Sequence, residues 1–247
     1  MPPKGAPTDI VLITGSNQGI GFETARKLAS EHEGYHVIVS GRRKDATEDA
    51  AKTLQAEGLS VEPLVMDVNS DESIAAAVEA VKSKHGRLDV LVNNAGISIA
   101  PGAEGRAAWA KMFDTNVFSV VAVTDAFLPL LEKSPKTKRV VFVSSNVSSL
   151  GLKADPTSLQ HGLDRWMGYS SSKSALNMLA MHYVVRFEKD PTWKINLGCP
   201  GYCATNINGY TGTSTAKDGA GHVCHLATLG PDGESGSFSD KKGPVPW

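Results

Sequence analysis

Cysteine is scarce in this sequence: Cys199, Cys203 and Cys224 are the whole set. An odd number without the spacing of a metal-ligand motif excludes a disulfide framework and gives no reason to expect a metal. Reduced thiols in a cytoplasmic protein are the expectation. Net charge is equally thin, -1 from 25 basic and 26 acidic residues, so the basic field that nucleic acid binding needs is missing. The longest apolar stretch, Val117 to Leu131, is broken by Asp125 and Pro129, which excludes a membrane span. Residues 1–8 are Pro-rich and lack the apolar core of a signal peptide, so a flexible tail is expected there.

What is present is an ordinary globular balance, 41% hydrophobic and 21% charged, in a chain long enough for one large α/β domain. Strand-like runs alternate with amphipathic windows almost from end to end. That alternation predicts a single doubly wound Rossmann domain, a parallel seven-stranded sheet with helices on both faces. The strands are expected at Ile10–Thr14, Tyr35–Ser40, Val61–Asp67, Val90–Asn93, Arg139–Ser145, Lys194–Leu197 and Gly236–Ser239. The helices are expected at Gly19–His32, Asp45–Glu57, Asp71–His85, Ala107–Leu131, Leu163–Glu188 and Thr215–Leu229. Ser70 is placed to cap the third of them.

The first strand runs into Thr14-Gly15-Ser16-Asn17-Gln18-Gly19-Ile20-Gly21, and a helix follows directly. Glycines at such a junction let backbone N–H groups close on a pyrophosphate at the helix N-terminus. A Gly-rich turn without a ligand is the plainer alternative. The second strand ends in Gly41-Arg42-Arg43. An acid here would bond the ribose of NAD, whereas arginine accommodates a 2′-phosphate, so the expected coenzyme is NADP(H), with NAD(H) as the alternative. Asp67 and Val68, at the end of strand three, lie on the carboxyl edge of the sheet. There Asp67 either accepts a hydrogen bond from an adenine amino group or caps the next helix. Asn94-Ala95-Gly96 after strand four suggests close backbone approach to the same ligand.

Tyr169-Ser170-Ser171-Ser172-Lys173 sets a phenol and an ammonium four positions apart on one helix face. A nearby cation favours a phenolate and brings its acidity towards working pH. Alone, the pair is a weak signal. In order, however, Thr14 to Gly21, Asn93 to Gly96, Asn116, Ser144-Ser145, Tyr169 to Lys173 and Pro200-Gly201 with Thr205 resemble the short-chain dehydrogenase/reductase family over Asp9 to about Phe238. Asn17, the Glu57 to Ser60 run and the long segment before Tyr169 look most like its carbonyl reductase branch.

The resemblance implies roles. Tyr169 is the general acid, and Lys173 lowers its pKa and bonds the nicotinamide ribose. Ser145 orients the substrate carbonyl, with Ser144 as runner-up, and Asn116 holds a water that links the lysine to solvent. Pro200, Gly201, the backbone at Cys203 and the Thr205 hydroxyl hold the nicotinamide carboxamide. Residues 206–215 form a substrate flap, and 150–166 is an insertion that walls the pocket or obstructs pairing between subunits. His161 within it is expected to be an exposed loop residue. The implied activity is NADP(H)-dependent reduction of a small or medium hydrophobic ketone or aldehyde. An NAD-dependent alcohol dehydrogenase and a catalytically silent dinucleotide-binding regulator are the alternatives. The expected partner is a small molecule, with neither nucleic acid nor membrane, and monomer or homo-oligomer is left open.

Overall fold

The computed structural model describes residues 9–247, so the expected tail at 1–8 lies outside the described residues. The elements follow in the order β1 (Asp9–Ile13), α1 (Gly19–Glu31), β2 (Tyr35–Gly41), α2 (Lys44–Ala56), β3 (Val61–Val65), α3 (Asp71–His85) and β4 (Val90–Asn93). Then come α4 (Gly105–Phe113), a π-turn (Asp114–Phe118), α5 (Ser119–Leu131), β5 (Lys138–Val143), α6 (Leu150–Ala154) and α7 (Met167–Phe187). β6 (Trp193–Gly198), α8 (Ala216–Ala227), β7 (Phe238–Asp240) and β8 (Gly243–Pro244) complete the chain.

The strands form one sheet in the order β3-β2-β1-β4-β5-β6-β7-β8, parallel except for the last pair. Side chains alternate across it. Ile10 and Leu12 enter the core beneath α3, α5 and α7, while Val11 and Ile13 enter the core beneath α1, α2 and α8. The same period divides Val140 and Phe142 from Val141 and Val143 in β5. Two buried faces are why these strands read as continuous apolar runs. Because the order reverses between β1 and β4, a crevice opens at their carboxyl ends, where ligands of doubly wound sheets bind.

Three features depart from expectation. The sheet has eight strands, not seven; β8 is two residues long, too short for any period to show. β3 stops at Val65 and tolerates Pro63 because it is an edge strand. α7 begins at Met167 rather than Leu163, because Trp166 sits in the left-handed region (φ 65°) and cannot continue a helix. Ser70 caps α3 as expected, accepting from the Ser73 N–H at 3.2 Å. The run Gly105–Leu131 is long and apolar enough to cross a membrane by length and composition alone. Its second half is instead the packing partner of the sheet, burying Val120, Val123, Phe127 and Leu131.

Candidate active site

The loop from β1 to α1 is shaped by three glycines. Gly15 and Gly19 adopt φ of 62° and 60°, which other residues adopt only with strain. A Cβ on Gly21 would lie 2.5 Å from Asn94 Nδ2 and 2.9 Å from Ser16 Cα. Asn94 pins this loop: its Nδ2 donates to the carbonyls of Thr14 (2.8 Å) and Gly15 (3.1 Å). Thr14 Oγ1 answers by accepting from the N–H groups of Asn94 and Ala95, each at 3.0 Å. No side chain caps α1 and its first turn holds no acid, so its leading N–H groups suit an anion.

At two of the expected contacts the side chain is engaged within the protein. The Ser16 hydroxyl is fully buried, donating to Ile13 O (2.7 Å) and accepting from Ser40 N (2.9 Å), so only its backbone can face a ligand. The Asn94 amide is spent on the loop. Asn17, Gln18 and Ile20 lie in that loop with partial or full exposure, as do Arg42 and Arg43 at the end of β2. Asp67 Oδ1 accepts from Asn69 N at 3.0 Å, forming a local turn before α3, while Val68 packs against the core.

The Tyr169–Lys173 pair lies on α7, near the serines that follow β5. Of the two serines after β5, Ser144 is turned inward and donates to Asn177 Oδ1 at 2.6 Å. Ser145 is the one beside the Tyr169 phenol. Lys173 is buried, its Nζ donating to Val143 O at 2.8 Å and lying 5.9 Å from the centre of the Tyr169 ring. Gly96 leaves the space above them open: a Cβ there would stand 3.2 Å from Asn116 Oδ1 and 3.5 Å from Lys173 Nζ.

The acidified phenol expected from the four-residue spacing is not what the fold produces. Burial pushes Tyr169 well above its usual range, the Cys199 thiol adds to the rise, and the Ser145 hydrogen bond only opposes them. Burial also pulls Lys173 down to about 8, against an opposing effect of Cys199. The Lys173 ammonium, already bonded to the Val143 carbonyl, does not offset the burial of its neighbour. Cys199, buried at the end of β6 with its sulfur accepting from Asn146 N (3.2 Å), went unnoticed in the sequence as a part of this site. Only its place after β6, beside the β5 serines, hinted at it.

Asn116 is fully buried in the π-turn, where an asparagine in a regular helix was expected. Its Oδ1 accepts from Ile97 N (2.8 Å), and its Nδ2 donates to Ile97 O (2.8 Å) and Ser172 Oγ (2.9 Å). It therefore ties the loop after β4 to α7, and its amide donors are taken up by protein rather than by a relay water. π-turns of this kind gather at functional positions.

Beyond β6, Gly201 takes φ 84°, and the Cys203 N–H and thiol bond to Gly201 O (3.1 Å) and Pro200 O (3.2 Å). The Thr205 hydroxyl is buried without a hydrogen-bond partner among the described residues, which fits the donor or acceptor of a carboxamide. Segment 206–215 folds back on residues 203–204: the Ala204 N–H donates to Ser214 O at 2.7 Å, and Gly212 packs against the Ala204 backbone with no room for a Cβ. Ser98 Oγ donates to Ile207 O at 2.5 Å, joining the loop after β4 to segment 206–215. Trp166 and Tyr202 meet at the rim, ring centres 6.1 Å apart, while Tyr210 is exposed. His161 is also exposed, its ring against Lys153 O (3.0 Å) in the insertion.

The family model for short chain dehydrogenases matches residues 9–215. A short-chain dehydrogenase of Penicillium roqueforti is 41% identical over 227 residues, covering 90% of this chain and 89% of that protein. Carbonyl reductase (NADPH) 1 of Rattus norvegicus is 29% identical over 276 residues, covering 96% and 98%. The structure of salutaridine reductase from Papaver somniferum superposes with a TM-score of 0.81 at 25% identity, covering 93% of this chain and 99% of that one. With the glycine cradle, the orphaned Thr205 hydroxyl and the Ser145–Tyr169–Lys173 cluster facing one crevice, these likenesses lead to one conclusion: the chain belongs to the short-chain dehydrogenase family, oxidoreductases that bind a nicotinamide dinucleotide.

Proposed function

We propose that the protein is an NADP(H)-dependent carbonyl reductase acting on a small or medium hydrophobic ketone or aldehyde in the cytoplasm. The observation that carries the reading is the half-buried Tyr169 phenol beside Ser145, on the same helix as Lys173. The glycine loop, Arg42, Arg43 and Thr205 would hold the coenzyme, whose nicotinamide supplies hydride. Ser145 and Tyr169 would both hydrogen-bond the carbonyl oxygen. As alkoxide charge grows there, the phenol gives up its proton and the serine hydroxyl stabilises what remains. A phenol held above its usual range favours this direction over alcohol oxidation, which needs a phenolate base.

Lys173 would bond the nicotinamide ribose, and half of its ammonium charge is lost at about pH 8. The expected result is that kcat/KM for NADPH falls as pH rises through about 8, since this ratio reports the free enzyme. In Lys173→Arg the guanidinium stays charged, so the break should vanish or move to higher pH. An unmoved break removes lysine from that role.

Arg42 and Arg43, exposed with no acid at the end of β2, favour a 2′-phosphate over a bare ribose. The relative named for NADPH-dependent carbonyl reduction supports the same choice. A panel of hydrophobic ketones and aldehydes, assayed by loss of nicotinamide absorbance with each coenzyme, tests the reading directly. Turnover with NADPH exceeding that with NADH supports it; turnover with neither, or with NADH alone, sinks it.

A further inference from the structure

At the opposite end of the sheet from the crevice, three side chains from separate elements converge. His36 comes from the start of β2, Glu62 from the edge strand β3, and His85 from the last position of α3. Their candidate ligand atoms all lie within 4.8 Å of one another. His36 Nε2 stands 3.4 Å from Glu62 Oε2, and His85 Nε2 stands 2.7 Å from Glu62 Oε1. The two imidazoles lie tilted at 44° to one another, with ring centres 5.3 Å apart. All three side chains are largely shielded, at 15%, 14% and 11% exposure, and Glu62 borders a surface depression of about 300 Å³.

We propose that His36, Glu62 and His85 form a binding site for a borderline divalent cation of the Zn²⁺ class, with water as the fourth ligand. Two imidazoles and a carboxylate are a donor set such ions take, and ligand atoms of a tetrahedral ion with bonds of about 2.0–2.1 Å sit roughly 3.3 Å apart. The His36–Glu62 separation already matches that edge. Ser60 supplies the support such sites use: its Oγ lies 2.9 Å from His36 Nδ1. With Nδ1–H donating there, the Nε2 lone pair points into the cluster, and that buried nitrogen has no hydrogen-bond partner among the described residues. His85 presents its Nε2 once the proton it shares with Glu62 moves to Nδ1.

Lys84, bonded to Glu62 and 63% exposed, is the competitor; it can swing into water when the metal arrives. The ion would then tie the edge strand to its neighbour and to α3, far from the proton-transfer groups.

Calorimetric titration of the full chain with zinc chloride, and Co²⁺ absorption spectra, test the site. The wild-type chain should take up one equivalent saturably and gain thermal stability with it. Ser60→Ala should weaken uptake by ~10-fold or more, and His85→Ala should abolish it. His222→Ala, removing a member of the other close histidine pair, His222 with His225, should change nothing. Lys84→Met, which deletes no ligand and relieves a competing charge, should tighten binding by roughly threefold or more; it remains informative should the histidine variants fold poorly. No saturable uptake by the wild-type chain, equal affinity in His85→Ala, loss of uptake in His222→Ala, or unchanged or weaker binding in Lys84→Met overturns the proposal.

Discussion

Tyr169→Phe is expected to lower reductase turnover by ~10²- to 10⁴-fold, the usual contribution of a positioned acid. The phenylalanine ring fills the same volume on α7, and NADPH should still bind, because the glycine loop and Arg42 are untouched. The hydroxyl that protonates the nascent alkoxide is all that leaves. Ser145 can stabilise that charge but cannot easily replace the donated proton, so the loss should fall on kcat more than on KM. Stopped-flow turnover with coenzyme fluorescence as the binding control would separate the two. Turnover equal to the parent chain would mean that the proton comes from elsewhere and that the phenol is not the acid.

The paired change Arg42→Ala and Arg43→Ala should raise KM for NADPH by roughly 10- to 100-fold, since hydrogen bonds to charged groups contribute about 1.5–3 kcal/mol. KM for NADH should move far less. Both guanidiniums are exposed at the end of β2, so the fold does not depend on them. The discrimination should also shrink at high ionic strength, where screening weakens a solvent-facing phosphate contact. Equal effects on both coenzymes would remove the electrostatic argument for NADPH.

The layered architecture was legible because β1, β4, β5 and β6 are buried on both faces and the helices α1, α2 and α8 carry an apolar face. The turn at Gly15 to Gly21 was legible because no other residue type satisfies two positive φ angles and a 2.5 Å approach at once. Other parts left no local trace. α6 is a five-residue turn with no apolar stripe, and β8 is two residues. Of Ser144 and Ser145, alternation says that only one faces the crevice, and the Asn177 bond, made far along α7, decides which. The helical spacing of Tyr169 and Lys173 was read correctly as neighbourhood but wrongly as acidity, because burial acts on both groups and cannot be seen in spacing. His36, Glu62 and His85 have no motif at all; parallel pairing of β2 with β3 and the length of α3 bring them together.

The wide turn at Asp114–Phe118 also sets the rotational phase of the long helix that contains it. Ahead of the turn, Trp109 and Met112 sit beneath Gly168, each within 3.5 Å of where its Cβ would be. After it, Val120, Val123 and Phe127 face the sheet. Each residue of an α-helix turns the chain by about 100°, so trimming one residue to restore a regular ladder would swing the leading segment off α7 while leaving the trailing one seated. The five residues act as a coupling between two shafts whose grooves face different ways.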